Sequence, residues 1–380
     1  YVDAYLGPAE WAKAAKENLR TKEKLAKDIA ALLISINNIK DVKKSEINRQ
    51  KALFRNVRAM DVRIRMVNGE KFTFAEEARL IYDATLPDYD FSEFDKALEA
   101  INKLMPGVGS LPERIETFQA AYSIPEDKVN QVVDTAIAEC RKRSKAHISM
   151  PENERFTLEY VTDKSWGGYN WYQGDNHSLM QINMDFPLKI GRPLGLGCHE
   201  GYPGHHVWNV LIENELLKKN NWIEFSIFPL FSPFGLIAEG SANYGVDLSF
   251  PRDDKLNYEM KTLYPMAGID PKKAIALNKL NKLTSKLSHA MTATAQLYFD
   301  GKITRDEAIA QRQKYSLTSR EKAENSMRFI EKYRAYVLNY NLGKDIVANY
   351  IKNQGDTDVE RWIAFEKMLT ELFTASDMVK

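Results

Sequence analysis

The sequence has little net charge, little cysteine and no long apolar run. Its 53 Lys+Arg residues face 52 Asp+Glu, for a formal charge of +1, which excludes a broad electrostatic surface for nucleic acid or anionic lipid. The two cysteines, Cys140 and Cys198, exclude a disulfide framework but leave one bridge open. The most apolar run, residues 226–238, contains two prolines and is too short to span a bilayer. We expect it to be buried or to form the wall of a pocket.

What the sequence does contain is enough for a packed core, since 44% of the residues are hydrophobic and 11% are aromatic. The composition changes near residue 150. We predict a helical N-terminal part at 1–150 and a catalytic part at 151–380, which together form one continuous structural unit.

The hydrophobic periodicity predicts a mainly α fold of the α+β class. Alternating β-formers predict strands at 156–161 and 178–183, separated by an aromatic loop at 166–174, and these would form a small antiparallel sheet. Helices are predicted over the stretches 8–36, 45–67, 74–85, 125–146, 271–298, 319–340 and 357–376.

Histidine is rare, yet three of the six histidines lie within eight residues, at His199, His205 and His206. Two imidazoles and a distant carboxylate are the ligands of an open catalytic zinc site. Glu200 directly follows the first histidine, where it can take a proton from a water molecule whose pKa zinc lowers to about 7. The pattern predicts one zinc ion with Glu200 as the general base.

The spacing of these histidines departs from H-E-x-x-H, which places both imidazoles on one face of a helix. In an unbroken helix, His205 would lie about 240° around the axis from His199. Pro203 lacks the N–H for the carbonyl of His199, and Gly204 permits unusual backbone angles. We therefore predict a kink that returns His205 to the metal. His206 is the second choice as ligand, or else a hydrogen-bond donor to the ligands or the transition state.

A third ligand is predicted in the segment that follows the apolar run. Glu239 is expected to be buried there, where a carboxylate needs a cation or hydrogen-bond donors. Asn243 and Asp247 share its helical face and could orient the ligands. Cys198 is either a small buried hydrophobic residue beside the site or a thiolate ligand.

Aromatic residues on both sides of the histidines suggest substrate contacts. Tyr169 and Trp171, in the aromatic loop, could line side-chain pockets beside an exposed strand edge. Tyr336 and Tyr340 lie one helical turn apart, where a phenol could stabilise an oxyanion, and Arg334 could hold a substrate carboxylate.

The segments His-Glu-Gly-Tyr-Pro-Gly-His-His and Ala-Glu-Gly-Ser-Ala-Asn-Tyr resemble those of a large bacterial family of proteins of unknown function placed among the gluzincin metallopeptidases. The resemblance implies a helical zinc-peptidase fold, with His199, His205 and Glu239 as ligands, Glu200 as base and Tyr340 as the tyrosine of a late helix. The chain has Ser241 where the family often has tryptophan. Members are often exported or lipid-anchored, so an exported or envelope-associated protein is favoured over a cytoplasmic one.

Three functions follow as hypotheses. The first is a zinc metallopeptidase acting on a peptide or small amide, with no nucleic-acid partner and no transmembrane segment. The second is a metal-dependent hydrolase of a non-peptide amide or ester, which would use the same ligands. The third is a non-catalytic binding protein. The third hypothesis allows a structural metal or none, so absence of bound metal favours it, and a substrate panel separates the first two from each other.

Overall fold

The computed structural model describes residues 2–164 and 166–379. The chain is mainly helical with a small amount of sheet, which confirms the predicted fold class. The strands are β1 (Val2–Tyr5), β2 (Arg155–Val161), β3 (Gly168–Gly174), β4 (His177–Asn183) and β5 (Ile227–Pro229).

The α-helices in chain order are α1 (Ala9–Glu17), α2 (Lys22–Asn37), α3 (Ile47–Val67), α4 (Phe74–Ile81), α5 (Phe91–Leu104), α6 (Leu111–Ala120), α7 (Val129–Lys145), α8 (Pro193–Leu196), α9 (His205–Leu211), α10 (Pro233–Ser249), α11 (Asp254–Tyr258), α12 (Tyr264–Met266), α13 (Lys273–Thr284), α14 (Ala290–Phe299), α15 (Arg305–Ser316), α16 (Arg320–Tyr333), α17 (Leu338–Gln354), α18 (Asp358–Thr370) and α19 (Ala375–Met378). π-Helical turns occupy Gly197–Gly201, Ile212–Lys219 and Glu259–Leu263. Short 3₁₀ turns occupy Lys44–Glu46, Glu126–Lys128, Ile223–Ser226, Ser285–Leu287 and Arg334–Val337.

Capping residues divide stretches that the periodicity predicted as single helices. The stretch to residue 36 is two helices, because the hydroxyl of Thr21 accepts a hydrogen bond from the Lys24 amide and starts α2 afresh. Similarly, the stretch at 319–340 is divided between α16 and α17 by the 3₁₀ turn. The apolar run at 226–238 is divided between β5, which pairs antiparallel with β1, and the first turns of α10.

Side chains from before and after residue 150 share one hydrophobic core. Phe74 stacks on Phe299, and Tyr82 meets Tyr336 edge to face with ring centroids 6.4 Å apart. The N-terminal helices therefore pack directly against the helices that carry the tyrosines predicted for the site.

The three-stranded sheet has the order β2-β4-β3 and is mixed, so the prediction of an antiparallel sheet is wrong for one of its two pairings. β3 and β4 form an antiparallel hairpin whose turn residues, Asp175 and Asn176, both have positive φ. That turn places β4 in the centre, where it pairs parallel with β2. The stretch predicted as an aromatic loop is thus strand β3, and the Asp-Asn turn was the signal for it.

Two glycines set the distance between α10 and α17. A Cβ atom on Gly240 would lie 2.5 Å from the backbone of Gly343, which no side chain could tolerate. The two helices therefore cross with their backbones in contact. This crossing places the start of α17 next to Glu239, the residue before Gly240. No helix in the described part of the chain combines the length and apolarity that a membrane crossing requires.

Candidate metal centre

The histidine segment, residues 193–211, is a helix broken at its centre. It begins as α8, widens into a π-helical turn and resumes as α9 after a turn with a cis bond between Tyr202 and Pro203. The amide of Gly204 donates to the carbonyl of Cys198 at 2.9 Å, a span of six residues where an α-helix has four. The break predicted from Pro203 and Gly204 is present.

Only glycine fits position 204. A Cβ atom there would lie 1.8 Å from the carbonyl oxygen of His199. This close approach of the backbone accommodates the two residues by which the segment exceeds the H-E-x-x-H spacing. His205 therefore returns to the side of His199, and their rings meet at 90° with centroids 4.7 Å apart. The structure therefore brings His205, and not His206, beside His199.

Glu239 on α10 completes a group of three donors that converge from the two helical segments. Its Oε2 lies 3.6 Å from Nε2 of His199 and 3.9 Å from Nε2 of His205. These separations are too long for hydrogen bonds. Zinc at about 2.1 Å from each of three tetrahedral ligands would space them by about 3.4 Å. The two separations between the carboxylate and the imidazoles are within a few tenths of an ångström of this value, and all three donor atoms lie within 4.8 Å of one another.

The electrostatics of the group suit a divalent cation. Burial lowers the pKa of His199 well below its usual range, and the charges of His205 and Arg192 lower it further. The imidazole is therefore neutral at physiological pH, which is the form that binds a metal. The Glu239 side chain is only 12% exposed, and a buried carboxylate of this kind is stabilised by a cation.

Glu200 lies beside the donors on the π-helical turn. Its Oε1 is 3.9 Å from Nε2 of His199, and the residue is buried. Strand β3 holds this turn, because the side-chain amide of Asn170 donates to the carbonyl of Glu200 at 2.6 Å. The carboxylate therefore lies within reach of a water molecule placed between it and the donors.

Two tyrosines from the C-terminal helices reach the same point. The hydroxyl of Tyr336 donates to Oε1 of Glu239 at 2.9 Å, which leaves Oε2 directed at the histidines. Tyr336 thus orients a predicted ligand, a different role from the predicted substrate contact. Burial raises the pKa of Tyr340 well above its usual range, and the charges of Glu239 and Glu200 raise it further. Its phenol therefore keeps its proton and can donate it in a hydrogen bond.

The two polar residues predicted to orient the ligands have different positions. Asn243 hydrogen-bonds the side chain of His199 and also donates to the backbone carbonyl of Tyr340 at 3.1 Å, so it links the donors to α17. Asp247 lies further along α10, with a side chain that is 58% exposed and paired with Lys344 at 2.7 Å. The prediction for Asp247 is wrong, because its side chain is directed to solvent and to Lys344, although its neighbours Leu248 and Ser249 are buried.

His206 belongs to a separate buried network. Its Nε2 lies 3.1 Å from Oε2 of Glu154, and its Nδ1 lies 2.8 Å from the hydroxyl of Ser178 on β4. Tyr202 donates to the same Glu154 oxygen at 2.7 Å. Both ring nitrogens are engaged and the residue is fully buried, so His206 cannot serve as a ligand or as a catalytic donor.

Arg334 is also committed elsewhere. Its guanidinium pairs with the buried carboxylate of Glu77, with Nε at 2.7 Å, and lies over the ring of Phe299. The predicted contact with a substrate carboxylate is therefore corrected to an internal ion pair that joins α4 to the turn before α17.

Strand periodicity places Tyr169 and Trp171 on the face of the sheet opposite to Asn170. The alternate residues of β3 contact the histidine segment, as Asn170 does. Trp171 is 45% exposed and its indole N–H donates to Gln181 at 2.8 Å, while Tyr169 packs on its ring. The stretch is therefore a strand with two faces rather than a loop, and the substrate contact of Tyr169 and Trp171 stays a prediction.

Cys198 and Cys140 form a disulfide. Both residues are fully buried, and the bond joins α7 to the π-helical turn at the residue before His199. The disulfide excludes the alternative that Cys198 is a thiolate ligand. Cys198 instead links the π-helical turn covalently to α7.

Comparisons with known proteins give the fold and little else. No family model and no curated protein matches the chain. Among solved structures, the chain is similar to a protein of Colwellia psychrerythraea described as a "putative lipoprotein", with a TM-score of 0.55 and 14% sequence identity. The match covers 97% of this chain and 70% of the other. At this identity the likeness shows a common fold.

Proposed function

We propose that this protein is a zinc-dependent metallopeptidase of the gluzincin type. The observation that carries the proposal is the convergence of His199, His205 and Glu239 on one point, with Glu200 beside it. Three protein donors leave a fourth position open, which is typical of catalytic rather than structural zinc sites. When bound, zinc would polarise the scissile carbonyl and acidify the attacking water.

The chain's own residues supply the remaining chemistry. Glu200 takes a proton from the attacking water and later delivers it to the leaving amine. Tyr340, which keeps its phenolic proton, donates a hydrogen bond to the oxyanion that develops on the scissile carbonyl. Tyr336 and Asn243 hold Glu239 and His199 in the required orientation.

The position of β3 favours a peptide over another amide or an ester. β3 is the edge strand of the sheet next to the histidine segment. A Cβ atom on Gly168 would lie 3.5 Å from Oε1 of Glu200, so the strand begins beside the general base. An extended peptide that pairs with this edge would carry its backbone past Glu200, which is how β-strand addition selects peptides.

The test combines metal analysis with a single substitution. We expect the protein purified without chelator to contain one zinc ion per chain. Glu200→Gln should keep the metal and lose hydrolysis of a peptide library by about 100- to 10,000-fold. Glu152→Gln, at an exposed glutamate on the turn before β2, is the matched control and should change neither property.

Each of the other outcomes has a defined meaning. Full turnover by Glu200→Gln refutes its role as the base. Absence of metal, with no rise in melting temperature on adding zinc, favours a non-catalytic binding protein. Hydrolysis of small amides or esters without cleavage of any peptide favours the second class of hydrolase.

We also propose that the protein is exported or associated with the cell envelope. The lipoprotein description of the structural neighbour and the buried disulfide support this, because disulfides persist in oxidising compartments. Fractionation of cells that express the complete gene, followed by detection of the protein in each fraction, tests it. Recovery in the cytoplasm alone would contradict it.

A further inference from the structure

Arg192 is a cation beside the proposed site that forms no ion pair with an acid in the described part of the chain. Within residues 2–164 and 166–379, its guanidinium makes no hydrogen bond and no ion pair. Other arginines close to the core differ in this respect, since Arg334 is paired with Glu77 and Arg141 with Glu154. Arg192 therefore does not serve as the internal partner of an acid.

The surroundings of Arg192 are those of a cleft. The residue is exposed to solvent, yet burial lowers the pKa of its guanidinium, while the charge of Glu200 opposes that shift. A side chain on an open surface would not be desolvated in this way. The residue thus reaches solvent while its guanidinium is largely surrounded by protein.

Two consecutive glycines connect Arg192 to the general base. A Cβ atom on Gly167 would lie 3.8 Å from Nη2 of Arg192, and one on Gly168 would lie 3.5 Å from Oε1 of Glu200. Because Gly167 and Gly168 are adjacent, these two distances and the separation of the two Cβ positions add up to an upper limit. The guanidinium of Arg192 therefore lies at most about 13 Å from the carboxylate of Glu200. An extended peptide covers that distance in about four residues.

The guanidinium group selects the chemistry of its ligand. Its planar donors match the two oxygens of a carboxylate better than a single carbonyl. We infer that Arg192 is a specificity-determining residue, which binds a substrate carboxylate within about four residues of the bond to be cleaved. This inference rests on the proposed peptidase function. The carboxylate is the C-terminus of a short peptide or an acidic side chain, and the experiment distinguishes these sources.

The test uses acetyl-Ala-Phe-Ala-Ala in three forms: with a free C-terminal carboxylate, as the carboxamide, and as the carboxamide with Asp in the last position. We expect the zinc-loaded wild-type protein to prefer one carboxylate-bearing form over the neutral amide by about 10- to 100-fold in kcat/KM. Preference for the free acid identifies the C-terminus as the source, and preference for the Asp peptide identifies a side chain.

Substitution of the arginine should remove this preference through binding. Arg192→Gln should raise KM for the preferred form towards that of the amide, so that the ratio of kcat/KM between the two forms falls towards one. Arg192→Lys should keep part of the preference because it keeps the charge. Arg155→Gln, at an exposed arginine that begins β2 on the opposite edge of the sheet, is the matched control and should behave as wild type.

Binding provides a readout that does not depend on turnover. Calorimetry on Glu200→Gln and on Glu200→Gln/Arg192→Gln, both checked for unchanged melting, should show that only the first discriminates between the acid and amide forms. Equal affinity for all three forms in both proteins overturns the role of Arg192. If the wild type cleaves all three forms equally well, the inference fails while the peptidase proposal stands. If no form is cleaved but the acid is still bound through Arg192, the peptidase proposal fails for these substrates and the anion site remains.

Discussion

Two histidine–glutamate clusters lie on either side of one short segment, and their geometries differ. In the first, Glu239 faces His199 and His205 across 3.6 and 3.9 Å. In the second, Glu154 is bonded directly to its neighbours, with His206 at 3.1 Å and Tyr202 at 2.7 Å. His205 and His206 are adjacent in sequence, yet each belongs to a different cluster.

The difference shows how the same residue types serve two purposes. In the Glu154 network the donors and acceptors bind one another, and Arg141 and Lys145 neutralise the charge of the carboxylate. The network therefore needs no metal ion to stabilise it. In the Glu239 group the three atoms are spaced for a common fourth partner. Spacing between donor atoms, and not composition, therefore distinguishes a candidate metal centre from a structural network.

The largest effect is expected from removing the second histidine of the open group. His205→Ala leaves two protein donors, and zinc affinity should fall by at least about a thousandfold, with hydrolysis lost in parallel. Competition with a chromophoric chelator measures the affinity. Retention of zinc at wild-type affinity would contradict the assignment of His205.

His206→Ala should show the opposite pattern. Removing a fully buried imidazole leaves Glu154 and Ser178 without their partner, which should lower the free energy of unfolding by about 2–4 kcal/mol. Urea denaturation measures the loss, and elemental analysis should find the zinc content unchanged. A folded His206→Ala protein that has lost its metal would overturn the comparison between the clusters.

The closed network should also make the fold sensitive to acid. Although burial opposes ionisation, hydrogen bonds from His206, Tyr202 and Arg141 lower the pKa of Glu154 to about 2 from its usual 4.5. A lowered carboxyl pKa stabilises the fold above about pH 4.5, and the contribution is lost as the pH falls towards 2.

The contribution of ionised Glu154 to the free energy of unfolding is on the order of 3 kcal/mol, as calculated from the shift in its pKa. Urea unfolding between pH 6 and 3 should therefore show a steep loss in the wild type and a shallower one in Glu154→Gln. Glu152→Gln, two residues away and exposed, serves as control and should follow the wild type. Equal slopes for all three proteins would contradict the prediction.

The smallest effect is expected from the residue that orients Glu239. Tyr336→Phe removes one hydrogen bond to Oε1 and should weaken zinc binding by about 10- to 100-fold without abolishing it. Tyr298→Phe removes a comparable bond to Glu331 on α16 and should leave zinc affinity unchanged. Equal zinc affinity in both variants would show that Tyr336 does not position the ligand.

Predictions from the sequence succeeded where near neighbours decide the structure. The break at Pro203 and Gly204 depends on a missing N–H and a missing Cβ within six residues of His199, so it was predictable. Helices α3, α4 and α7 were predicted for the same reason, with errors elsewhere at capping residues such as Thr21. The aromatic stretch is a strand and not the predicted loop, and the Asp-Asn turn after it is the local signal that distinguishes the two.

Predictions failed where distant partners decide the position of a side chain. Arg334 contacts Glu77, which lies 257 residues earlier in the chain, and no local pattern records that pairing. Asp247 shares a helical face with Glu239, but only the packing of α10 shows that the face leaves the site. That Arg192 forms no ion pair with any described residue has no sequence signal, since it depends on which acids approach it in the folded chain.

The sequence by itself determined the mainly helical fold, the broken histidine segment and the group of residues able to bind a metal. These follow from backbone chemistry and periodicity, which act over a few residues. Tertiary structure decided between His205, which the sequence favours, and His206 as the residue that faces Glu239, and it placed Tyr336 against that carboxylate. The physical reason is that both outcomes depend on how closely separate elements approach, as at Gly240 and Gly343, where the absence of two side chains lets α10 and α17 touch.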